Sequence, residues 1–263
     1  MDVILGMFVL LLAGVAISAL GAMAGLGGGF LAVPFLMIVW GLDNEIAVLT
    51  SLTMILANST SSSITYLRAR KVDMKVFALL VLPTIPGLFA GWWLLRNLEE
   101  TQFRLIFAIL MAAVMVYVLI RNSRNKKDDD EGSNKRYHIS KMTAVISVPI
   151  TFVAGAVSSA FGIGGGAVLM PLQVGLLKMY VKRAIATSML LIAVMSGFRV
   201  LIISRASFDP FVAIPLALGG LLGAQVAAYI VRKAKSRYLL YFLAAFLFII
   251  AFYMGIEAVI EMI

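Results

Sequence analysis

Two glycine runs, Gly27-Gly28-Gly29 and Gly164-Gly165-Gly166, interrupt long apolar stretches, "AGLGGGFLAVP" at 24–34 and "FGIGGGAVLMP" at 161–171. A helix starting directly after such a run has amide N–H groups without intrahelical acceptors and the positive end of its dipole. That combination suits an anion, and glycine lets a ligand come close to the backbone. The short helices are expected to start near Phe30 and Ala167, with Pro34 and Pro171 in or near their first turns, where a missing N–H costs nothing. Downstream, Ser51, Asn58 and Ser62 are spaced i, i+7, i+11, on one helical face; Ser59 joins them in the polar run "NSTSSS" at 58–63. The corresponding face of the second half carries Ser188, Met195 and Arg199. Arg199 is the one charge well inside an apolar span, and an intramembrane charge is a functional candidate by default. No Asp or Glu lies inside a span, whereas cation and proton carriers usually place carboxylates there. The candidate anion-binding set is therefore Gly27, Gly28, Gly29, Ser51, Asn58, Ser59, Ser62, Gly164, Gly165, Gly166, Ser188 and Arg199. Two plainer readings stay open: glycines that only allow a tight turn and close packing, and an arginine that snorkels to the interface. Gln173 and Gln225 are read as packing hydrogen bonds.

The elements that must position these residues follow from composition. Of 263 residues, 62% are hydrophobic and 13% charged, and mean hydropathy is +1.02. Soluble domains hold about 25% charged residues, so the chain reads as an all-α polytopic membrane protein. There is no cysteine and a single histidine, His138, in a charged loop. Disulfides and thiolate metal sites are excluded, and no metal or cofactor is expected. The net charge of +9 is read as cytoplasmic loop charge, with no nucleic-acid partner. The start "MDVILGMFVLLLAG" lacks a basic region and reads as a retained first helix. "GIGGGA" fits a dinucleotide fingerprint in letters only. No strand precedes it, and the residue 20 past Gly166 is Ala186, where an acid belongs.

Six full spans are expected, at 46–67, 75–95, 102–121, 184–203, 211–231 and 238–256. Segments 3–41 and 141–177 are broken at the glycines. A shift of 137 residues superposes Gly25, Gly27, Gly28, Gly29, Pro34, Ala47, Thr50, Ser51, Ser59 and Arg68 on identical residues, ending at Arg205. The chain is thus an internal repeat: 1–121, a cytoplasmic linker at 122–140, and 141–263. Loops 68–75, 121–141, 178–183 and 232–237 hold 18 of the 22 Lys and Arg and belong inside. Threading the spans between them makes 3–41 a hairpin from outside and 141–177 a hairpin from inside. Each half is then one re-entrant hairpin plus three spans, in inverted orientation, with both chain termini outside. Charge reverses from Asp43-Asn44-Glu45 to Tyr180-Val181-Lys182, but not from Arg68 to Arg205. Gly87-x-x-x-Gly91 and Gly219-x-x-x-Gly223 predict close helix approach, between repeats or between protomers of a homodimer. Inverted repeats with paired broken helices point to a secondary transporter in the cell membrane, with its site between them.

At "GLGGGFLAVPFL" and "FGIGGGAVLMPLQ", followed by "AVLTSL" and "AIATSM", the chain resembles the sulfite exporter TauE/SafE family, also called the toluene sulfonate uptake permeases. The resemblance covers nearly the whole chain. It implies a small permease for sulfur-containing anions such as sulfite, sulfoacetate or other organosulfonates. An anion-selective channel of the same fold is the alternative. A membrane enzyme or receptor component fits less well, because no acid–base or nucleophile constellation is present. The inverted topology makes a direct prediction. Single cysteines replacing Asp43 and Lys182 should label from opposite faces of the membrane, and labelling of both from one face would dismiss the inversion.

Overall fold

The computed structural model describes residues 3–124, 141–203, 209–233, 248–249 and 251–257. The order is α1 (Val3–Ala24), α2 (Gly29–Ile38), α3 (Asn44–Arg68), α4 (Met74–Asn97), α5 (Glu100–Arg124), α6 (Lys141–Phe161), α7 (Gly166–Pro171), a π-helical turn (Leu172–Leu176), α8 (Val181–Ile203) and α9 (Pro210–Lys233). Among the described residues there are no strands, and the chain is an all-α polytopic membrane protein. Among the described residues five helices, α1, α4, α6, α8 and α9, are long and apolar enough to cross a bilayer. The linker, His138, Arg205 and most of the expected span 238–256 lie outside the described residues.

Both broken segments form hairpins of unequal arms, 22 and 10 residues in α1–α2, and 21 and 6 in α6–α7 before the π turn. The prolines differ from expectation. Pro34 and Pro171 are each the sixth residue of their helices, beyond the first turn. At that depth a missing N–H removes a helical bond. In the second hairpin the chain widens immediately afterwards into the π turn, where the Leu177 N–H donates to the Leu172 carbonyl. Pro34 is carried inside a continuous α2, buried on all sides.

The long arms pack through small residues. A Cβ on Gly87 would meet the carbonyl oxygen of Phe152 at 2.1 Å, and one on Gly91 that of Ala156 at 2.0 Å. Both contacts step by four residues, so α4 and α6 run in the same direction with backbones touching. The other pair repeats this: a Cβ on Gly219 would meet the Leu11 carbonyl oxygen at 2.2 Å and one on Gly223 that of Val15 at 2.4 Å, joining α9 to α1. The Gly-x-x-x-Gly motifs thus join the two halves of one chain, each long hairpin arm lying on a helix of the opposite half. Without a hydrophobic force between helices in lipid, such close packing is what holds them.

The polar helix α3 is enclosed by this frame. It buries Thr50, Ser51, Asn58, Ser59, Ser62 and Ser63, and several hydroxyls are satisfied one turn back, as Thr53 and Ser59 are by the carbonyls of Leu49 and Ile55. The packing yields a prediction. Gly91→Ala forces α4 from α6 and should cost about 1–3 kcal/mol. Gly175→Ala, whose new Cβ meets nothing within 4 Å, should change stability by less than about 0.5 kcal/mol. Thermal unfolding in detergent compares them, and equal melting temperatures would refute the backbone contact.

Candidate functional site

Each hairpin turns through the same backbone path. Gly25, Gly27 and Gly28 have φ of 75°, 89° and 90°, and their counterparts Gly162, Gly164 and Gly165 have 64°, 76° and 71°. Side chains other than glycine are strained in this left-handed region, so the repeated glycines are first of all a conformational requirement. After the turn, the N–H groups of Leu31 and Ala32 donate to the Gly28 carbonyl, and those of Val168 and Leu169 to the Gly165 carbonyl. The amides of Gly29 and Phe30, and of Gly166 and Ala167, have no backbone acceptor.

The two tips touch. A Cβ on Gly29 would lie 2.0 Å from the Gly162 carbonyl oxygen, and one on Gly166 would lie 2.8 Å from the Gly25 carbonyl oxygen. Gly27 and Gly164 both rest against the side chains of Ile55 and Ile192, two fully buried residues that are themselves 137 positions apart. Ile55 is the twelfth residue of α3 and Ile192 the twelfth of α8, so the tips meet at the middle of the two central helices.

The expected site residues divide by what their side chains already do. The Ser51 hydroxyl donates to the Gly162 carbonyl at 2.8 Å, tying α3 to the opposite half's tip. Asn58 Nδ2 donates to the Gly27 carbonyl at 3.1 Å, and its Oδ1 is unpartnered. The Ser59 hydroxyl turns back to the Ile55 carbonyl at 2.6 Å. Ser62 is buried on the same helix. Ser188 accepts from Gln173 Nε2 at 2.9 Å, which makes Gln173 part of the second hairpin's anchorage; Gln225 Nε2 reaches Ser61 Oγ at 2.6 Å.

Arg199 differs from all of these. It is 1% exposed, and Nε, Nη1 and Nη2 have no hydrogen-bond partner. Glu45, in the first turn of α3, attracts it through space without bonding to it. Arg199 stands one helical turn beyond Met195, whose Cε lies 2.8 Å from where a Gly165 Cβ would be. The buried hydroxyls of Ser158, packed on Gly165, and of Ser196, three residues before Arg199, are also unpartnered. An unpaired buried charge is strongly unfavourable. A guanidinium can bind an anion with several oxygens through parallel N–H bonds. Sequence reasoning missed Ser158, because its counterpart under the 137-residue shift is Gly21, which packs on Gly28 as Ser158 packs on Gly165.

The model of the family described as sulfite exporter TauE/SafE matches residues 10–254. A probable membrane transporter protein, YunE, of Bacillus subtilis is 27% identical over 87% of this chain and 90% of its own length. A probable membrane transporter protein of Xylella fastidiosa is 28% identical over 84% of both chains. No solved structure matches. With nearly its whole length matched and its helical, membrane-crossing fold in hand, the chain belongs to the sulfite exporter TauE/SafE family and is a multi-pass membrane transporter.

Proposed function

We propose that this transporter carries small sulfur-containing anions, sulfite or organosulfonates, by alternating access between two repeats of inverted orientation, 1–121 and 141–263. In this reading the linker at 122–140 is cytoplasmic and both termini are outside. The observation that carries it is the buried, unpartnered guanidinium of Arg199. A charge held this way is destabilising unless an anion completes it, which is what a substrate site requires and a purely structural arginine does not.

Because the tips are in contact at Gly29–Gly162 and Gly25–Gly166, this reading puts the anion beside the two glycine runs and not between them. There Arg199, Ser196, Ser158 and the free amides of Gly166 and Ala167 supply N–H and O–H donors, and Met195 forms an apolar wall. A pyramidal or tetrahedral oxyanion has the oxygens to use them. Movement of the hairpins past Ile55 and Ile192 would expose this flank to each side in turn, and the contact of equivalent residues at the centre supports such a rocking motion.

Arg199→Gln keeps most of the side-chain volume and removes the charge. Purified native protein should gain thermal stability from sulfite or a small sulfonate and drive saturable flux in proteoliposomes. The variant should elute and fold as the native chain does, with affinity lower by about 10²-fold or more, the scale of breaking a buried charge pair. Unchanged binding by Arg199→Gln would reject the arginine's role. Flux that does not saturate would favour a channel.

A further inference from the structure

We propose that the first hairpin tip is a binding site for a monovalent cation, sodium by size and chemistry. Asn58 is fully buried. Its Nδ2 donates to the Gly27 carbonyl at 3.1 Å, which settles the orientation of the amide, since a flip would set two oxygens against each other. Oδ1 is therefore an acceptor with both lone pairs free, and nothing donates to it. Ser18, on α1, is also fully buried with an unpartnered hydroxyl.

Both residues border the first hairpin tip. The Ser18 Cα lies 3.5 Å from the position of a Gly28 Cβ, next to the Gly27 carbonyl that Asn58 holds. The Ser18 Oγ lies 3.3 Å from the position of a Gly220 Cβ, and the Met54 carbonyl, one turn before Asn58, lies 2.9 Å from that same point. Ser18 on α1 and the Met54 carbonyl on α3 thus meet beside α9, and both Ser18 and Asn58 border the first tip. The carboxyl end of α1 faces the same turn and adds the negative end of its dipole. Broken helices in transporters bind coupling ions through unwound carbonyls and helix carboxyl ends of this kind.

The oxygens are all neutral. A calcium or magnesium site takes carboxylates, and the described part of α1 and the stretch of α3 around Asn58 contain none. Neither Ser18 nor Asn58 can store a proton. A singly charged metal ion matches what remains. The equivalent positions in the second half carry the opposite chemistry: Met195 replaces Asn58, Gly155 replaces Ser18, and Arg199 replaces Ser62. One tip therefore offers oxygens to a cation, and the other offers a fixed cation to an anion. The cation site stands by itself. Its coupling to anion movement, one for one and without net charge transfer for a singly charged anion, rests on the transport reading above.

The test uses the purified full chain with chloride constant and sodium exchanged for choline. The native protein should show a saturable rise in melting temperature with sodium and none with choline. Asn58→Leu should lose the sodium response by at least tenfold in midpoint. Ser18→Ala, a change of one oxygen that leaves packing intact, should weaken it several-fold even if Asn58→Leu does not fold. Arg199→Gln should keep the sodium response and lose the anion response. Identical melting of the native protein in sodium and choline, or a native response in Ser18→Ala and in a folded Asn58→Leu, would overturn the cation site. Loss of only the anion response in the native protein would overturn the transport reading and leave the cation site standing.

Discussion

The contact between the two hairpin tips is the constraint on which everything else depends. A chain that turns in the middle of an apolar layer exposes backbone polar groups that lipid cannot satisfy. Here each turn is covered by the other. Gly29 lies against the Gly162 carbonyl and Gly166 against the Gly25 carbonyl, and the Ser51 hydroxyl and the Asn58 amide take up carbonyls that would otherwise be bare. Glycine is needed twice over, for positive φ and for the absence of a Cβ at the point of closest approach. Neither hairpin can be built alone, because the partner that covers it comes from the other half.

The long arms hold this arrangement together through backbone contacts. Each of α1 and α6 is clamped along its length to α9 or α4 by backbone contact across glycines, so the halves are interlocked and not merely adjacent. The enclosed helices α3 and α8 then tolerate residues that a lipid-facing helix would not. Thr53 and Ser59 on α3 are satisfied within the helix and Ser51 by the opposite tip, and Arg199 is held away from solvent. Several buried polar atoms stay without partners, among them Ser18 Oγ, Asn58 Oδ1 and the Arg199 guanidinium nitrogens.

Equivalent positions carry unequal chemistry. Ser51 and Ser188 are the same residue under the 137-residue shift, yet one ties to the opposite tip and the other accepts from Gln173 in its own hairpin. Asn58 and Met195, and Ser62 and Arg199, differ outright. The repeated backbone thus carries a different lining in each half.

Much of this was legible in the residues. Apolar length and glycine runs determined the membrane class, the breaks at the two glycine runs and the starts of the short helices within a residue of Phe30 and Ala167, because those are properties of local composition and spacing. The depth of Pro34 and Pro171 in their helices was misjudged, since it depends on where a turn ends and not on where the glycines begin. Which hydroxyls are already used and which are free, whether the Gly-x-x-x-Gly motifs join repeats or protomers, and whether the tips leave a gap or close on each other were decided only by tertiary structure. Those answers rest on contacts between residues more than 100 positions apart, such as Ser51 with Gly162, and no local pattern encodes which distant atom will occupy a lone pair.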